Sequence, residues 1–557
     1  MQRSSLAPLL RQAARKPRAK PPTPRRTYSA VAPLAHPSIS AARFPVQKRY
    51  GQPLPSTHPH LLAPGELTPG ISADEYEARR RALMDSLDDG STVIVSGNKV
   101  MYMSHHCARG GTGTNQVKRQ LQVPPTQQPL VPHRLGRTRF GSQKTSSEKG
   151  YRMTMFVRPQ DPYDESWNGP RSGPEGACEV FGADDVRPSF LLSKSILTRS
   201  DRTSMQACDV AHFSRRLEDA LSSSRGPVYI DLPDISASSF SRSRPTSTSN
   251  RTSFFDYLSS AGSKRTPVDD VDRVLGALGK RDVRSAAREI EKLRVVKSEA
   301  EVRVMKKAAD ISADAHSKVM RFCGARSGRG LTEHSLVSHF EYNTSLAGSP
   351  RPAYVPVCGS GSHALTIHYI ENNRPLREGD LVLIDAGCEW GGYASDITRT
   401  FPVSGTFTTP QAHLYEAVLR VHRKCISLCT SSSNLSLDDL HRISVDLTRT
   451  ELRDLGFQLR GGELERVLYP HFLSHPLGVD LHDTPSFMRD EKCTIEPGLY
   501  VPPLPHLPVG FHNLAIRIED EVLVRDEDQV VLSVNAPKEL VDVEARCRGL
   551  LEGAGEQ

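Results

Sequence analysis

The chain has 557 residues and lacks several features that define large classes of protein. It contains no run of about 18 apolar residues, so no transmembrane helix is predicted. Its ten cysteines include no CxxC pair of the kind that binds zinc. Cys425 and Cys429 are one helical turn apart and are interpreted as one face of a helix. We therefore expect reduced thiols in an intracellular compartment.

Acidic residues are absent from the first 65 positions, which hold 11 lysines and arginines. This segment accounts for the formal net charge of +8, because without it the chain carries a net charge of −3. A nearly neutral remainder argues against a nucleic-acid-binding protein. No convincing internal repeat is present, and the length is sufficient for two or three domains.

The Arg-rich N-terminus is typical of a mitochondrial targeting segment. Its apolar residues would form one helical face and its arginines would lie largely off that face. The face comprises Leu6, Leu9, Leu10 and Ala13, and the arginines are Arg3, Arg11 and Arg15. Residues 1–70 are therefore predicted to be a targeting segment and a Pro-rich linker. The expected location is the mitochondrion, in the matrix or associated with the inner membrane; the alternative for this segment is a disordered basic tail.

A domain with an α/β pattern is predicted over residues 71–235. We expect a helix over 74–87, with Ser72 as its N-cap, and strands over 92–96 and 151–157.

Further along, residues 236–285 are predicted to be a low-complexity loop and linker. A second domain is expected over 286–540, entered through one helix that starts near Ser285 and another over 298–322. Residues 541–557 are predicted to be a tail.

Acidic residues end or interrupt apolar runs in this second domain. Asp385 follows the run 381–384, which reads LVLI and would carry its carboxylate into a core. Burying a carboxylate is very costly unless it is paired or bound to a metal. Converging carboxylates also repel one another, and a pair of divalent cations removes that repulsion. The residues expected to converge are Asp385, Asp396, His475, Glu496 and Glu519.

The local patterns support this convergence. With a turn centred on Trp390 and Gly391, Asp385 and Asp396 would face each other across neighbouring strands, about 5 Å apart. In the segment IRIED the residues alternate, so Arg517 and Glu519 share one face.

Glu496 ends a short strand that Pro497 and Gly498 terminate. Four carboxylates and one imidazole form a hard, oxygen-rich set of ligands. Such a set favours two divalent ions, with manganese first and cobalt or zinc as alternatives, over a thiolate zinc site.

Residues from about 288 to 539 resemble the metallopeptidase family of aminopeptidase P, prolidase and methionine aminopeptidase. The resemblance rests on the segments LTIHYIENN, LVLIDAG, SDITRTFPV, HPLGVDLHDTP, TIEPGLY and IRIEDEVLV, in this order. In the N-terminal half, YRMTMFVRPQDP, SWNGPRSG and FGADD are similar to the mitochondrial Xaa-Pro-type subgroup. The resemblance implies an α/β (α+β) protein, in which a creatinase- or aminopeptidase-P-like domain precedes a catalytic domain of the pita-bread fold.

The resemblance also implies roles for the metal ligands. Asp385 would be a terminal ligand of one metal, and Asp396 and Glu519 would bridge both metals. His475 and Glu496 would complete the second metal site. Glu496 would also accept a proton from the attacking water, as a general base.

Other residues match family positions around the reacting group. His368 would contact the substrate, His482 would stabilise the oxyanion, and Arg517 would orient the bridging carboxylates. His471 would be a further histidine of the pocket. The implied activity is removal of one N-terminal residue from peptides or imported mitochondrial proteins, with Xaa-Pro specificity open. Many members of the family self-associate, so a homo-oligomer is an open expectation.

Two other classes of protein remain open at this stage. One is a metal-free pseudoenzyme or binding module on the same fold, but such proteins generally lose their metal ligands, and this chain retains all five. The other is a prolidase-like dipeptidase or a creatinase-like amidinohydrolase. A peptide-length series separates a dipeptidase from an aminopeptidase.

The chain departs from the family pattern in three places. Residues 104–149 form an atypical insert with no clear periodicity, which is unusual inside a compact domain. The connection over 483–495 is shorter than in the family. Ser474 stands where the family has a glycine before the ligand histidine, and serine would be disfavoured if that position required positive φ.

The segment Arg25-Arg26-Thr27-Tyr28-Ser29 resembles a mitochondrial processing site that leaves an N-terminal aromatic residue. Our hypothesis is that the imported protein removes its own Tyr28. N-terminal sequencing of the mature protein is expected to find Ser29 first, or Tyr28 where this last step has not occurred. Any other first residue would contradict this prediction.

Overall fold

The computed structural model describes residues 50–96, 139–144, 150–157, 159–188, 221, 226–230, 281–326, 330–485, 494–495 and 497–551. The predicted targeting segment, most of the predicted low-complexity linker and most of the short connection over 483–495 lie outside these residues. None of the helices in the described part of the chain is long and apolar enough to cross a membrane.

A mixed six-stranded sheet organises the N-terminal part. Its strands are β3 (Thr92–Ser96), β4 (Arg139–Lys144), β5 (Tyr151–Val157), β6 (Asp185–Pro188), β7 (Val228–Ile230) and β8 (Val283–Ser285). They lie in the order β6-β5-β4-β3-β7-β8, antiparallel around β4 and parallel elsewhere. A small hairpin and three helices accompany the sheet: β1 (Glu66–Thr68), β2 (Ile71–Ser72), α1 (Ala73–Asp85), α2 (Pro162–Asn168) and α3 (Gly173–Glu179).

Several predicted elements of this part are confirmed. Helix α1 begins after Ser72, whose side chain accepts a hydrogen bond from the Glu75 amide. Strands β3 and β5 have the predicted bounds, and the odd-numbered residues of β5 face the core.

The lack of clear periodicity over residues 104–149 does not exclude a strand over 139–144. This segment forms β4, which pairs with both β3 and β5 at the centre of the sheet. Its sequence, RFGSQK, has no apolar alternation. This strand is defined instead by backbone hydrogen bonds to a neighbouring strand on each side. Strand β8 likewise falls inside the predicted linker.

The C-terminal part, from residue 286 onwards, contains short strands surrounded by helices. The strands are β9 (Val357–Ser360), β10 (Leu381–Asp385), β11 (Glu389–Trp390), β12 (Tyr393–Ala394), β13 (Thr398–Pro402), β14 (Thr494–Ile495), β15 (Gly498–Val501), β16 (Leu514–Arg517), β17 (Asp520–Val524) and β18 (Gln529–Val531). The helices are α4 (Ala287–Val295), α5 (Glu299–Ala325), α6 (Glu333–Leu346), α7 (Thr409–Ser427), α8 (Leu437–Asp454) and α9 (Leu540–Cys547). The predicted helices near 285 and over 298–322 correspond to α4 and α5, and Ser298 caps α5 through a capping box with Glu301.

Helix α9 lies within the predicted C-terminal tail. It forms because Val543 and Cys547, one turn apart, are buried in the main core of the C-terminal part. A second apolar core is shared by the two parts of the chain, since Ile71 and Met155 belong to the same buried cluster as Val304 and Leu477.

The turn of the hairpin after β10 is centred one residue later in the sequence than predicted. Trp390 pairs with Tyr393, so the turn is centred on Gly391 and Gly392, whose φ angles are +57° and +89°. Asp385 therefore lies opposite Thr398. Asp396 is two residues before Thr398, and it shares a face with Asp385 as a diagonal neighbour rather than a direct partner.

The backbone at Gly387 closely approaches the backbone at Ser395. A Cβ at position 387 would lie 1.7 Å from the carbonyl oxygen of Ser395, so the two backbone segments would have to separate. Gly387→Ala is expected to lower the free energy of unfolding by about 3 kcal/mol, the upper range for overpacking. Chemical denaturation of the metal-free protein measures this value.

The matched control is Gly461→Ala, because Gly461 is exposed and a Cβ there would meet no atom within 4 Å. That variant should stay within about 0.5 kcal/mol of the wild type. Equal losses in the two variants would contradict the argument from close backbone approach.

Candidate active site

Asp385 and Asp396 are joined through the hydroxyl group of Tyr354. The Tyr354 Oη lies 2.5 Å from Asp385 Oδ1 and 2.7 Å from Asp396 Oδ1. One phenolic proton cannot satisfy two carboxylates at once. Burial, and then the nearby carboxylates, raise the pKa of Tyr354 well above its ordinary value, so the phenol stays protonated between them.

His475 and Glu519 lie on the other side of Asp396. The His475 Nε2 is 3.3 Å from Asp396 Oδ2 and 3.9 Å from Glu519 Oε1. The potential ligand atoms of Asp396, His475 and Glu519 all lie within 4.8 Å of one another. Glu519 is anchored by Thr398, which donates its hydroxyl to Oε2 at 2.8 Å and accepts the Glu519 amide at 3.1 Å.

Arg517 neutralises part of this charge. Its Nη2 donates to Asp385 Oδ2 at 2.5 Å, and its backbone is held by Thr400, whose hydroxyl accepts from the Arg517 amide and donates to the Arg517 carbonyl. Arg517 thus contacts Asp385, which is predicted to be a terminal ligand.

The site concentrates negative charge in a dry environment. Asp396 and Glu519 are 4% and 1% exposed, and Arg517 is the guanidinium that pairs with the third carboxylate, Asp385. Burial raises the pKa of Asp385, and Asp396 adds to this effect while Arg517 opposes it. An excess of buried carboxylate oxygens over cationic partners fits the binding of divalent cations.

Three further predicted residues surround this cluster. The His482 ring lies 4.3 Å from that of His475, and burial, followed by the charge of His475, lowers the pKa of His482 to about 4. His368 is exposed and close enough to Asp385, His471 and His482 to influence their pKa values. The imidazole of His482 is therefore neutral at neutral pH.

His471 is held more rigidly. Its Nδ1 is 2.9 Å from the Phe472 carbonyl oxygen, and its ring packs edge-on against Tyr500 at 5.7 Å. Burial, and then Arg517, lower the pKa of His471 to about 3. A Cβ at Gly498 would lie 2.8 Å from His471 Nε2, so glycine at this position leaves the room that the His471 ring occupies.

Glu496 and Ser474 are also singled out by the sequence. Glu496 lies outside the described residues, although the strand Thr494–Ile495 before it pairs with β17. Ser474 is buried and does not have a positive φ angle, so the strain considered for serine at this position is absent.

Sequence patterns missed three residues of the site. Tyr354 lies in a loop 31 residues before Asp385, and no local pattern indicates its contacts. Thr398 and Glu521 could have been found, because each is two residues from a predicted ligand and so lies on the same strand face. Glu521 accepts the Asp396 amide at 3.0 Å, and burial raises the pKa of Glu521 to about 8.

A buried arginine supports the site from behind. Arg399 is fully buried and uses every N–H group. Nε donates to Pro537 O; Nη1 donates to Thr398 O and Glu519 O; and Nη2 donates to Asp520 Oδ1 and Ala536 O, at distances from 2.6 to 3.0 Å. Burial favours a neutral Asp520, but Arg399 and Lys538 hold the pKa of this carboxyl well below its ordinary value. The ion pair fixes the backbone that carries Glu519.

A two-part fold with a carboxylate-rich site of this geometry defines a metallopeptidase of the pita-bread type. The model of Metallopeptidase family M24 matches residues 303–526, and the model of the aminopeptidase P N-terminal domain matches residues 140–203. Intermediate cleaving peptidase 55 of Saccharomyces cerevisiae is 34% identical over 511 residues, which cover 90% of this chain and 89% of that protein. Xaa-Pro aminopeptidase 3 of Homo sapiens is 33% identical over 526 residues, covering 90% and 91% of the two chains.

The chain belongs to the aminopeptidase P family of M24 metallopeptidases. A crystal structure of Icp55 from Saccharomyces cerevisiae, without its N-terminal 58 residues, matches with a TM-score of 0.67 and 31% identity, covering 87% of this chain and 100% of that chain. The expected family and the order of its two domains are therefore confirmed.

Acid should destabilise the protein through His316, which lies on α5 directly behind the site. Its Nε2 is 2.9 Å from the Ala386 carbonyl oxygen, and burial lowers the pKa of His316 to about 3. A lowered folded-state pKa contributes stability that is fully present above the unfolded pKa of about 6.5 and is lost as the pH falls towards 3.

In the metal-free protein the free energy of unfolding is expected to decrease as the pH falls from 6 to 4. In His316→Gln the slope of this decrease is expected to be smaller by about 1.4 kcal/mol per pH unit. Glutamine keeps a donor for the Ala386 carbonyl but does not titrate. Denaturation at several pH values measures the slope, and the exposed variant His60→Gln is the control. An unchanged slope in His316→Gln would reject this origin of acid sensitivity.

Proposed function

We propose that this protein is a dinuclear metalloaminopeptidase that removes one residue from the N-terminus of peptides and of imported mitochondrial proteins. The observation that carries the proposal is the packing of Asp396, His475 and Glu519 with their potential ligand atoms within 4.8 Å of one another. Asp385 adjoins them through Tyr354. The family to which the chain belongs is a family of metallopeptidases.

The proposed metal ligands are Asp385, Asp396, His475, Glu496 and Glu519. Asp396, whose two oxygens face Tyr354 and His475, and Glu519, which adjoins His475, are proposed to bridge two ions. The donors are mainly carboxylate oxygens, which suit manganese better than a thiolate-binding metal. When bound, two such ions lower the pKa of a water held between them and polarise a substrate carbonyl.

The surrounding residues are proposed to position the reactants. Tyr354 and Arg517 hold the two oxygens of Asp385 and so fix its orientation. His482 is proposed to stabilise the oxyanion, since its pKa is low and its ring adjoins His475 at the edge of the carboxylate cluster. His368 is exposed at the open side of the site and is proposed to contact the substrate, and His471 is proposed as a neutral residue of the pocket. Glu496 is proposed as the general base.

The substrate and location are proposed from the N-terminal sequence and the relatives. Relatives that align over about nine-tenths of the chain include Intermediate cleaving peptidase 55, mitochondrial, of Arabidopsis thaliana, at 31% identity. The Arg-rich segment without acids is consistent with import into the mitochondrion. We propose action on processing intermediates in the matrix or at the inner membrane; a requirement for proline at the second position and self-association stay predictions.

Loss of a bridging carboxylate should abolish activity. Asp396→Ala and Glu519→Ala are each expected to show no measurable release of the first residue from a peptide series of two to eight residues, because both ions would lose a ligand. The exposed variant Asp446→Ala is the matched control and should retain wild-type turnover. Turnover in either bridging variant would reject the assignment, and wild-type cleavage of dipeptides alone would favour a prolidase-like enzyme.

His482→Ala separates an oxyanion role from metal binding. It is expected to lower kcat by about 100- to 1,000-fold, as for loss of one oxyanion donor, while the metal content stays at the wild-type level. Elemental analysis of the same samples used for kinetics checks this. Loss of metal in step with kcat would instead make His482 a ligand or a structural residue.

A further inference from the structure

The segment that carries His475 and His482 has no regular secondary structure. Residues 475–483 contain neither helix nor strand, and their backbone is closed by the Asp483 amide, which donates to the Pro476 carbonyl at 2.9 Å. This hydrogen bond folds the segment back on itself and brings the two imidazoles to 4.3 Å. The placement of His482 therefore depends on the side chains that hold the segment.

Arg294, at the end of α4, holds this segment from a distant point in the sequence. Its Nη2 donates to Asp480 Oδ2 at 2.5 Å and to Asp483 Oδ1. Asp480 and Asp483 bracket His482 in the sequence, so one guanidinium nitrogen contacts both ends of the four-residue stretch 480–483 that contains His482. The Lys297 Nζ lies 3.3 Å from the other oxygen of Asp483.

The ion pair between Arg294 and Asp483 is buried and closely packed. Arg294 is 8% exposed and Asp483 is 1% exposed, so solvent screens the pair weakly. Gly478 leaves the room that the pair needs, because a Cβ there would lie 2.5 Å from Asp483 Oδ2 and 3.1 Å from Lys297 Cε. The next residue, Thr484, is buried with a φ of +45°, a strained backbone for a β-branched residue that surrounding contacts must maintain.

We propose that Arg294 is a positioning residue for catalysis, which acts through Asp480 and Asp483 to hold His482 at the reacting group. The inference rests on the proposed oxyanion role of His482. Among the described contacts, Arg294 pairs with Asp480 and Asp483 and with none of the carboxylates of Asp385, Asp396 and Glu519, so its loss leaves these three in place. The C-terminal end of α4 thereby supports the active site through this ion pair.

Kinetics on the manganese-loaded full chain test this proposal. Arg294→Ala is expected to lower kcat for a Tyr-initiated peptide by about 10- to 100-fold, because a displaced catalytic group loses alignment, with KM and metal content unchanged. Arg294→Lys keeps the charge but not the planar fork, so an intermediate kcat is expected. Gly478→Ala disturbs the same ion pair from the opposite side and should resemble Arg294→Ala.

A double-mutant cycle gives the readout that a general loss of stability would not change. In the His482→Ala background, Arg294→Ala is expected to change kcat by less than about twofold, since the residue through which it acts is already absent. The control is Arg546→Ala, a buried arginine on α9 that contacts the Ser317 carbonyl far from His482. The proposal would be overturned if the fold-reductions in kcat caused by Arg294→Ala and His482→Ala multiplied in the double variant. Loss of metal in step with kcat would overturn it as well.

Hydrogen exchange of the Asp483 amide supplies a readout without activity. Arg294→Ala should speed its exchange by at least about tenfold relative to Arg546→Ala, because closure of the segment is weakened. Equal exchange in these two variants would overturn the proposal. If Arg294→Ala does not fold, the exchange rates in Arg294→Lys and Gly478→Ala are compared with that in Arg546→Ala instead.

An inactive wild type would reject the proposed function. The exchange rates would still show whether Arg294 holds the segment that carries His482.

Discussion

Repulsion between buried carboxylates is the constraint on which the rest of the structure depends. Asp385, Asp396 and Glu519 meet in a space with little solvent, where like charges interact strongly. Arg517 pairs with Asp385, and the Tyr354 phenol lies between Asp385 and Asp396. These contacts orient the oxygens but do not balance their charge. The proposed divalent ions would supply the missing positive charge, so folding of this region and metal binding are coupled.

The surroundings of the carboxylates reduce the freedom of the backbone that carries them. Arg399 donates to the carbonyl oxygens of Thr398 and Glu519 and pairs with Asp520, so it ties β13 to β17 behind the site. On the open side, the His475–Asp483 segment has no ladder to define it. There the Arg294 contacts with Asp480 and Asp483 take the place of secondary structure. The proposed bridging ligands thus lie directly beside strands, Asp396 two residues before β13 and Glu519 between β16 and β17, and an ion pair holds the proposed oxyanion residue.

Much of this arrangement could be predicted from sequence, because its signals are local. Ser72 and Ser298 are helix caps that a side chain and the next three residues define. The apolar run before Asp385 and the two-residue period around Glu519 are equally local. Contacts that join distant segments could not be predicted in this way. The Tyr354 hydroxyl, the Arg294 ion pair and the one-position shift of the turn at Gly391 depend on packing between elements, and β4 is defined by its neighbours rather than by its own residues.

The most direct test of the central claim is the metal content of the folded wild-type protein, starting at Ser29 and reconstituted with manganese. The account predicts about two tightly bound ions per chain. It also predicts greater resistance to denaturation than in the metal-free form, because bound ions relieve the repulsion between the carboxylates. A folded chain that binds close to no metal, with the same stability in both preparations, would contradict the account.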